Sequence, residues 1–452
     1  MGTASTEPNG SKITGLQGGP FRSWKPAQAV ALLALTAYGL RSTISHGFLY
    51  PLNGNRFRGD FSAALFDMTW WCRNDELLDL NYSILFTYLN RATVITHDTW
   101  TCPTVTANDT ISTYRVDVEQ FLFVATGLNI ICAGLAIYLI FRLFNLTSPE
   151  LLFISVLWLL DSHLRFSFAV TAFPEFLELV LILAFLTLMR REDKSSQLLS
   201  GVLLALAVMV KSAPALFIPL LFYPRQYTLQ RLSSFIGTIT LLLLSAMAFL
   251  RLSIISIITQ LTPSGAVNTS HAWDENFRSF SFGLIRIFKL SSGSKITNAM
   301  FVSSVLTLLM ILFGTIIYTL ANRHANQYQQ LDHDKRYLLL VGLYFTLLPL
   351  INIAHANTFL FLLPAYASVY KAIGYIQTKS TQKVYSIAAV LIYLWISQSL
   401  LFSLVKHLSV PSVPRIFYEE GVATFALVLL CTALARNYER NNRSLQSEDG
   451  NF

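Results

Sequence analysis

Gly-Val-Leu-Leu-Ala-Leu-Ala-Val-Met-Val-Lys-Ser-Ala-Pro-Ala-Leu-Phe-Ile-Pro-Leu-Leu-Phe, residues 201–222, is an apolar run interrupted at Lys211-Ser212-Ala213-Pro214. Its flanks are basic: Arg190 and Arg191 precede it, Arg225 and Arg231 follow it. Positive loops stay on the cytoplasmic side of a membrane. Both flanks therefore belong on that side, and a single straight span is excluded. The run predicts two short helices that meet near Lys211–Pro214 at the outer side. Pro214 disfavours helix in the residue before it and helps the turn.

The rest of the chain agrees with that reading. Of 452 residues, 53% are hydrophobic and 13% charged, against about 25% charged in a soluble domain. Apolar runs of roughly 18 residues recur from end to end, which is the transmembrane pattern. The fold class is an all-α polytopic membrane protein. Lys12, Arg22 and Lys25 precede the first span, residues 27–45, and put the N-terminus inside. Further spans follow near 121–140, 151–168 and 173–189, then the broken run, then 232–252, 300–320, a pair meeting at 352–357, 384–405 and 422–434. The alternation closes with about twelve spans and both termini cytoplasmic. The net charge of +8 sits largely in short loops and at the ends, so it argues for topology rather than for a nucleic-acid partner. Residues 1–26 are polar and read as disordered, and they do not resemble a cleaved signal peptide. Residues 27–436 read as one transmembrane domain and 437–452 as a disordered cytoplasmic C-terminus.

Two outer segments stand out, 46–118 and 253–298. The first is about 70 residues long, which exceeds an ordinary connection and points to function. It holds Asp60, Asp67, Asp75, Glu76, Asp79, Asp98, Asp109 and Asp117, with aromatic stretches suited to short interfacial helices. Cys72 and Cys102 both fall in it. They could pair if that face is oxidising, or remain two free thiols. Cys132 and Cys431 lie in apolar runs as packing residues. No Cys/His spacing resembles a zinc site, and no acidic motif compels a divalent ion, so neither metal nor cofactor is expected.

The candidate chemistry gathers on the outer face. Asp60, in Arg56-Phe57-Arg58-Gly59-Asp60-Phe61, is a candidate catalytic base, although an Asp at this position also suits a helix N-cap. Arg56 and Arg58 favour its ionised form and could contact phosphate. Lys211 stands in apolar surroundings at a Pro-broken turn; its ammonium could snorkel to the interface or bind a lipid phosphate. His355 lies between Asn352 and Asn357 at a span junction and is either a hydrogen-bonded core histidine or a site residue. His271, Trp273 and Asp274, in the second outer segment, could stack on and bond a sugar, a weak signal from loop residues alone.

These motifs resemble glycosyltransferase family 87. The resemblance rests on Gly59-Asp60-Phe61 after the first span and on the hairpin with Lys211, Pro214-Ala215-Leu216 and Pro219-Leu220. It also rests on the late pair Leu347-Leu348-Pro349-Leu350 to Leu362-Leu363-Pro364-Ala365 around His355. It covers about residues 27–375. It implies a GT-C fold and a transferase that takes its sugar from a polyprenyl phosphate, as in the actinobacterial mannosyltransferases that build phosphatidylinositol mannosides. It implies Asp60 as the catalytic Asp, His355 as a functional His near donor phosphate or acceptor, and Lys211 as the hairpin lysine. Pro174-Glu175-Phe176-Leu177 departs from the family pattern, where a Gly-Gln-x-Asn-like stretch is expected, and leaves sugar and acceptor open.

The expectation is an inverting hexosyltransferase, with mannose the expected sugar. The partners are a polyprenyl-phosphate-linked sugar donor, a lipid-linked or glycan acceptor, and membrane lipids. The expected location is a bacterial plasma membrane with the site facing the periplasm or outside. The rival is a transporter or lipid flippase, which would show inverted repeats and midplane charges; the sequence shows neither.

Overall fold

The computed structural model describes residues 115–169, 173–211, 213–223, 225–249, 330–351, 356–376, 378–397 and 419–449, with isolated helical positions at 30, 34, 37, 280 and 284. Every regular element among the described residues is helical. In chain order they are α1 (Arg115–Phe144), α2 (Ser148–Leu160), α3 (Ser162–Ala169), α4 (Phe173–Met189), α5 (Lys194–Val210), α6 (Thr228–Phe249), α7 (Gln330–Ile351), α8 (Leu362–Gly374), α9 (Lys379–Ser397) and α10 (Glu420–Asp449). Two 3-10 segments, Ala213–Phe222 and Ala356–Phe361, lie between them. Asp60, Arg56, Arg58, Cys72, Cys102, His271, Trp273, Asp274 and His355 lie outside the described residues.

Three of these helices have stretches long and apolar enough to cross a membrane: Gly127–Phe144, Thr228–Ala248 and Glu420–Asn437. Leu229, Leu241, Leu244, Ile131, Val384 and Leu391 are exposed on their helices. Outward rows of large aliphatic side chains are costly in water and expected against lipid tails. The structure is therefore that of a membrane protein.

The broken run folds back as its basic flanks require, with two differences. First, α5 begins at Lys194, upstream of residue 201, because the Asp193 side chain caps it by accepting from Ser196 N at 2.8 Å. Second, the returning limb is a 3-10 helix rather than an α-helix. Its two prolines, Pro214 and Pro219, remove backbone donors that an α-helix would use. Arg231 of α6 fastens the base of this hairpin. The side chain is fully buried; its Nε donates to Gln197 Oε1 of α5 at 2.5 Å, and its Nη1 donates to the Tyr223 carbonyl. Gly201 lies where α5 crosses α6, and an added Cβ would meet the Arg231 carbonyl oxygen and Ser234 Oγ. Small residues of this kind let membrane helices approach closely.

The third predicted span is broken into α2 and α3 at Asp161, which has extended dihedrals, φ −76° and ψ 123°. The last helix continues to Asp449, into the stretch that the sequence assigns to a disordered tail.

The antiparallel helices give the bundle two distinct ends. At one, Arg190 Nη1 donates to Leu143 O at 2.6 Å and the Tyr337 hydroxyl donates to Leu186 O at 2.8 Å. Lys371 of α8 meets Glu150 of α2 at 2.8 Å, and Arg231 seals the α5–α6 crossing. This end carries the short basic connections. At the other end α2 gives way to α3, α4 and α10 begin, and α5 and α9 finish.

Candidate active site

The second end of the bundle is apolar in its packing but contains buried charge. Two groups of side chains account for it. The first starts at the α2–α3 break. Asp161 N donates to Trp158 O at 3.0 Å and closes α2. Its carboxylate Oδ1 then accepts from His163 N at 2.9 Å and lies 2.6 Å from His163 Nδ1. The other ring nitrogen, Nε2, is 3.0 Å from Glu420 Oε2, in the first turn of α10. That second contact is an ionic one rather than a well-aligned hydrogen bond. An imidazolium donates through both ring nitrogens, whereas neutral imidazole donates through one, so two facing carboxylates suit the charged ring. Asp161, His163 and Glu420 are all nearly inaccessible to solvent.

The His163 ring stacks on Phe359, with centroids 4.8 Å apart and planes at 22°. Phe359 belongs to the 3-10 segment Ala356–Phe361, which packs on α3, α4, α7 and α8. Ser162 Oγ donates to the carbonyl of Ser397, the last residue of α9, at 2.8 Å. Tyr393 of α9 donates to Leu157 O at 2.6 Å and packs edge-on against Tyr366 of α8. One turn and a helix break thus tie down α8, α9, α10 and the segment 356–361.

The second group lies on the α4–α5 hairpin. Lys211 follows α5 directly, its backbone N donating to Ala207 O at 3.1 Å. Its ammonium pairs with Glu175 Oε1 in the first turn of α4. Glu178, three residues on and so on the same helix face, feels both the Lys211 ammonium and the Glu175 carboxylate. Glu175 is 1% exposed and Lys211 36% exposed, so the ammonium lies at the rim and the carboxylate beneath it. Glu178 is fully buried and neither carboxyl oxygen has a hydrogen-bond partner among the described residues. Phe176, between the two acids, touches Phe168 and Trp158, which links this group to the α2–α3 break.

Of the candidate site residues named from the sequence, Lys211 is the one that falls among the described residues, and it directly follows α5. The sequence shows an isolated lysine in apolar surroundings; the fold supplies Glu175 as its partner, 36 residues away in the chain. Glu175 and Glu178 were legible only as acids at the start of an apolar run. Ionisable groups in such runs are costly and usually functional or paired, and that rule was the available signal. Asp161, His163 and Glu420 carried the same signal, but nothing in their spacing says that they meet.

Chemically, this end offers a partly exposed cation held by a buried carboxylate. A cation of this kind can hold a phosphate or the developing charge on a departing one. No curated protein matches the sequence. The model of glycosyltransferase family 87 matches residues 113–331, which include Asp161, His163, Glu175, Glu178 and Lys211. The match supports the resemblance carried by the hairpin motif, and together with the apolar helices it indicates a membrane glycosyltransferase.

Proposed function

We propose that the chain is an inverting hexosyltransferase that takes its sugar, mannose in the leading reading, from a polyprenyl phosphate at the end of the bundle where Lys211 lies. The acceptor is a lipid-linked or glycan hydroxyl, and the reaction takes place on the outer face of the membrane. Asp60 takes the proton from the acceptor hydroxyl as its oxygen attacks the anomeric carbon. The bond to the phosphate oxygen breaks on the opposite side of the ring. Lys211 stabilises the charge that develops on the departing polyprenyl phosphate, with Arg56, Arg58 and His355 as further donors. His271, Trp273 and Asp274 serve sugar or acceptor binding.

The observation that carries this reading is the Lys211–Glu175 pair within the stretch that matches the family. A lysine held by a buried carboxylate is aimed before any ligand arrives, and an ammonium, with three N–H groups, can bridge a carboxylate and a phosphate. The basic connections at the opposite end support the orientation, since basic loops stay cytoplasmic. The test is incubation of the purified protein with radiolabelled polyprenyl-phosphate mannose and a host lipid extract. Transfer of label into a lipid or glycan product is expected. No transfer with mannose, but transfer from another polyprenyl-phosphate hexose, would move the sugar assignment; no transfer from any such donor would overturn the donor class.

A further inference from the structure

The mechanism above does not use Asp161, His163 or Glu420, yet all three are nearly inaccessible to solvent and lie in contact with one another. Three buried ionisable groups from two remote stretches are expensive to keep in a lipid-embedded bundle. Well-packed apolar residues would hold α3 against α10 at lower cost. What the ionic arrangement adds is direction. Asp161 holds one ring nitrogen of His163 and Glu420 the other, so the imidazole plane is set from both sides. Against that plane lies Phe359, stacked at 4.8 Å and 1% exposed.

We propose that Asp161, His163 and Glu420 form a clasp whose His163 ring is a positioning residue for the segment Ala356–Phe361, and through it for the transfer reaction. The proposal rests on the glycosyltransferase reading for its second half only. The segment follows His355 in sequence and is built to be placed by its surroundings. It is a 3-10 stretch, with poorer hydrogen-bond geometry than an α-helix, and it packs on α3, α4, α7 and α8. The same α4 carries Glu175, which holds Lys211. A shift of the 356–361 segment would be felt on that wall of the site. Displacements near 1 Å are enough to cost large factors in a positioned reaction. Asp161 contributes twice, because the carboxylate that holds the ring also bonds His163 N and fixes the break between α2 and α3.

The test uses the full-length protein in detergent or nanodiscs, with Glu420→Gln, Asp161→Asn and His163→Leu compared with wild type. Glu420→Gln keeps the shape of the side chain and removes its charge, so it carries the test if His163→Leu fails to fold. Backbone hydrogen exchange is read by mass spectrometry in peptides covering 356–361 and, as control, in peptides of α5. Exchange in 356–361 is expected to rise about tenfold with α5 unchanged, the pattern of local rather than global opening. With polyprenyl-phosphate mannose as donor, kcat is expected to fall about tenfold while the donor KM changes less than twofold. Glu420→Asp, which restores the charge, should recover part of kcat, which a purely steric role would not predict. Unchanged exchange in 356–361 would overturn the clasp, as would an equal rise in every peptide. A local rise with wild-type kcat would overturn the positioning role in turnover. A local rise together with no wild-type turnover from any polyprenyl-phosphate hexose would leave the clasp standing and remove the donor reading instead.

Discussion

Replacing Lys211 by Met should cost the folded protein much more than replacing Glu175 by Gln. The reason lies in which partner is buried. Glu175 is 1% exposed and Glu178 is fully buried, whereas Lys211 is 36% exposed. Met fills the apolar stem of Lys211 but leaves the buried Glu175 carboxylate without its ammonium. Removing one partner from a buried charge costs roughly 3–5 kcal/mol. Gln at 175 keeps an acceptor for Lys211 and loses only the charge-assisted part of one bond. The ammonium, already at the rim, can turn to solvent. That loss is about 1 kcal/mol. The expected difference between the two variants is therefore roughly 2–4 kcal/mol. The double variant should be more stable than Lys211→Met alone, with an interaction energy of about 1–3 kcal/mol. Reversible unfolding of the purified protein in mixed micelles, read by tryptophan fluorescence, measures all four corners of the cycle. If Glu175→Gln is as costly as Lys211→Met, or if the two effects add, the Glu175 carboxylate does not depend on Lys211 and the site's electrostatics have been misread.

Other perturbations test separate parts of the molecule. Gly201→Ala should destabilise by about 1–3 kcal/mol, because its Cβ meets the Arg231 backbone and α6 must move; thermal unfolding beside wild type checks it. Arg231→Lys should cost about 1–3 kcal/mol by the same measurement, since one ammonium cannot serve Gln197 and Tyr223 in the geometry of a guanidinium. At the Glu150–Lys371 pair, partial burial opposes ionisation, but the Lys371 ammonium and the Thr147 backbone N–H hold the Glu150 carboxyl below its ordinary range. A depressed folded value means stability that is present above the unfolded pKa and lost as pH falls through the folded one. Wild type should thus lose up to about 1 kcal/mol more than Glu150→Gln on acidification from neutral pH to below the ordinary carboxylate range, and parallel curves for the two proteins would exclude the contribution. For catalysis, Asp60→Asn keeps a capping oxygen but cannot take a proton, so turnover should fall roughly 10²–10⁴-fold at unchanged stability. Wild-type turnover by that variant would reduce Asp60 to a helix cap.

Much of the architecture was determined by composition and charge order alone. Apolar runs must become helices in lipid because a backbone without water has to satisfy itself. The basic flanks of residues 201–222 forced a reversal at Lys211, and α5 with its returning 3-10 segment makes that reversal. These are local or one-dimensional properties, which a sequence carries explicitly. The pairing of charges is not such a property. Glu175 meets Lys211 across 36 residues, and His163 meets Glu420 across more than half the chain, because α4 lies against α5 and α3 approaches the start of α10. Leu-rich helices match one another cheaply, so no sequence pattern says which faces meet. Helix packing decided it, by bringing Lys211 to Glu175 and His163 to Glu420 from stretches remote in the chain.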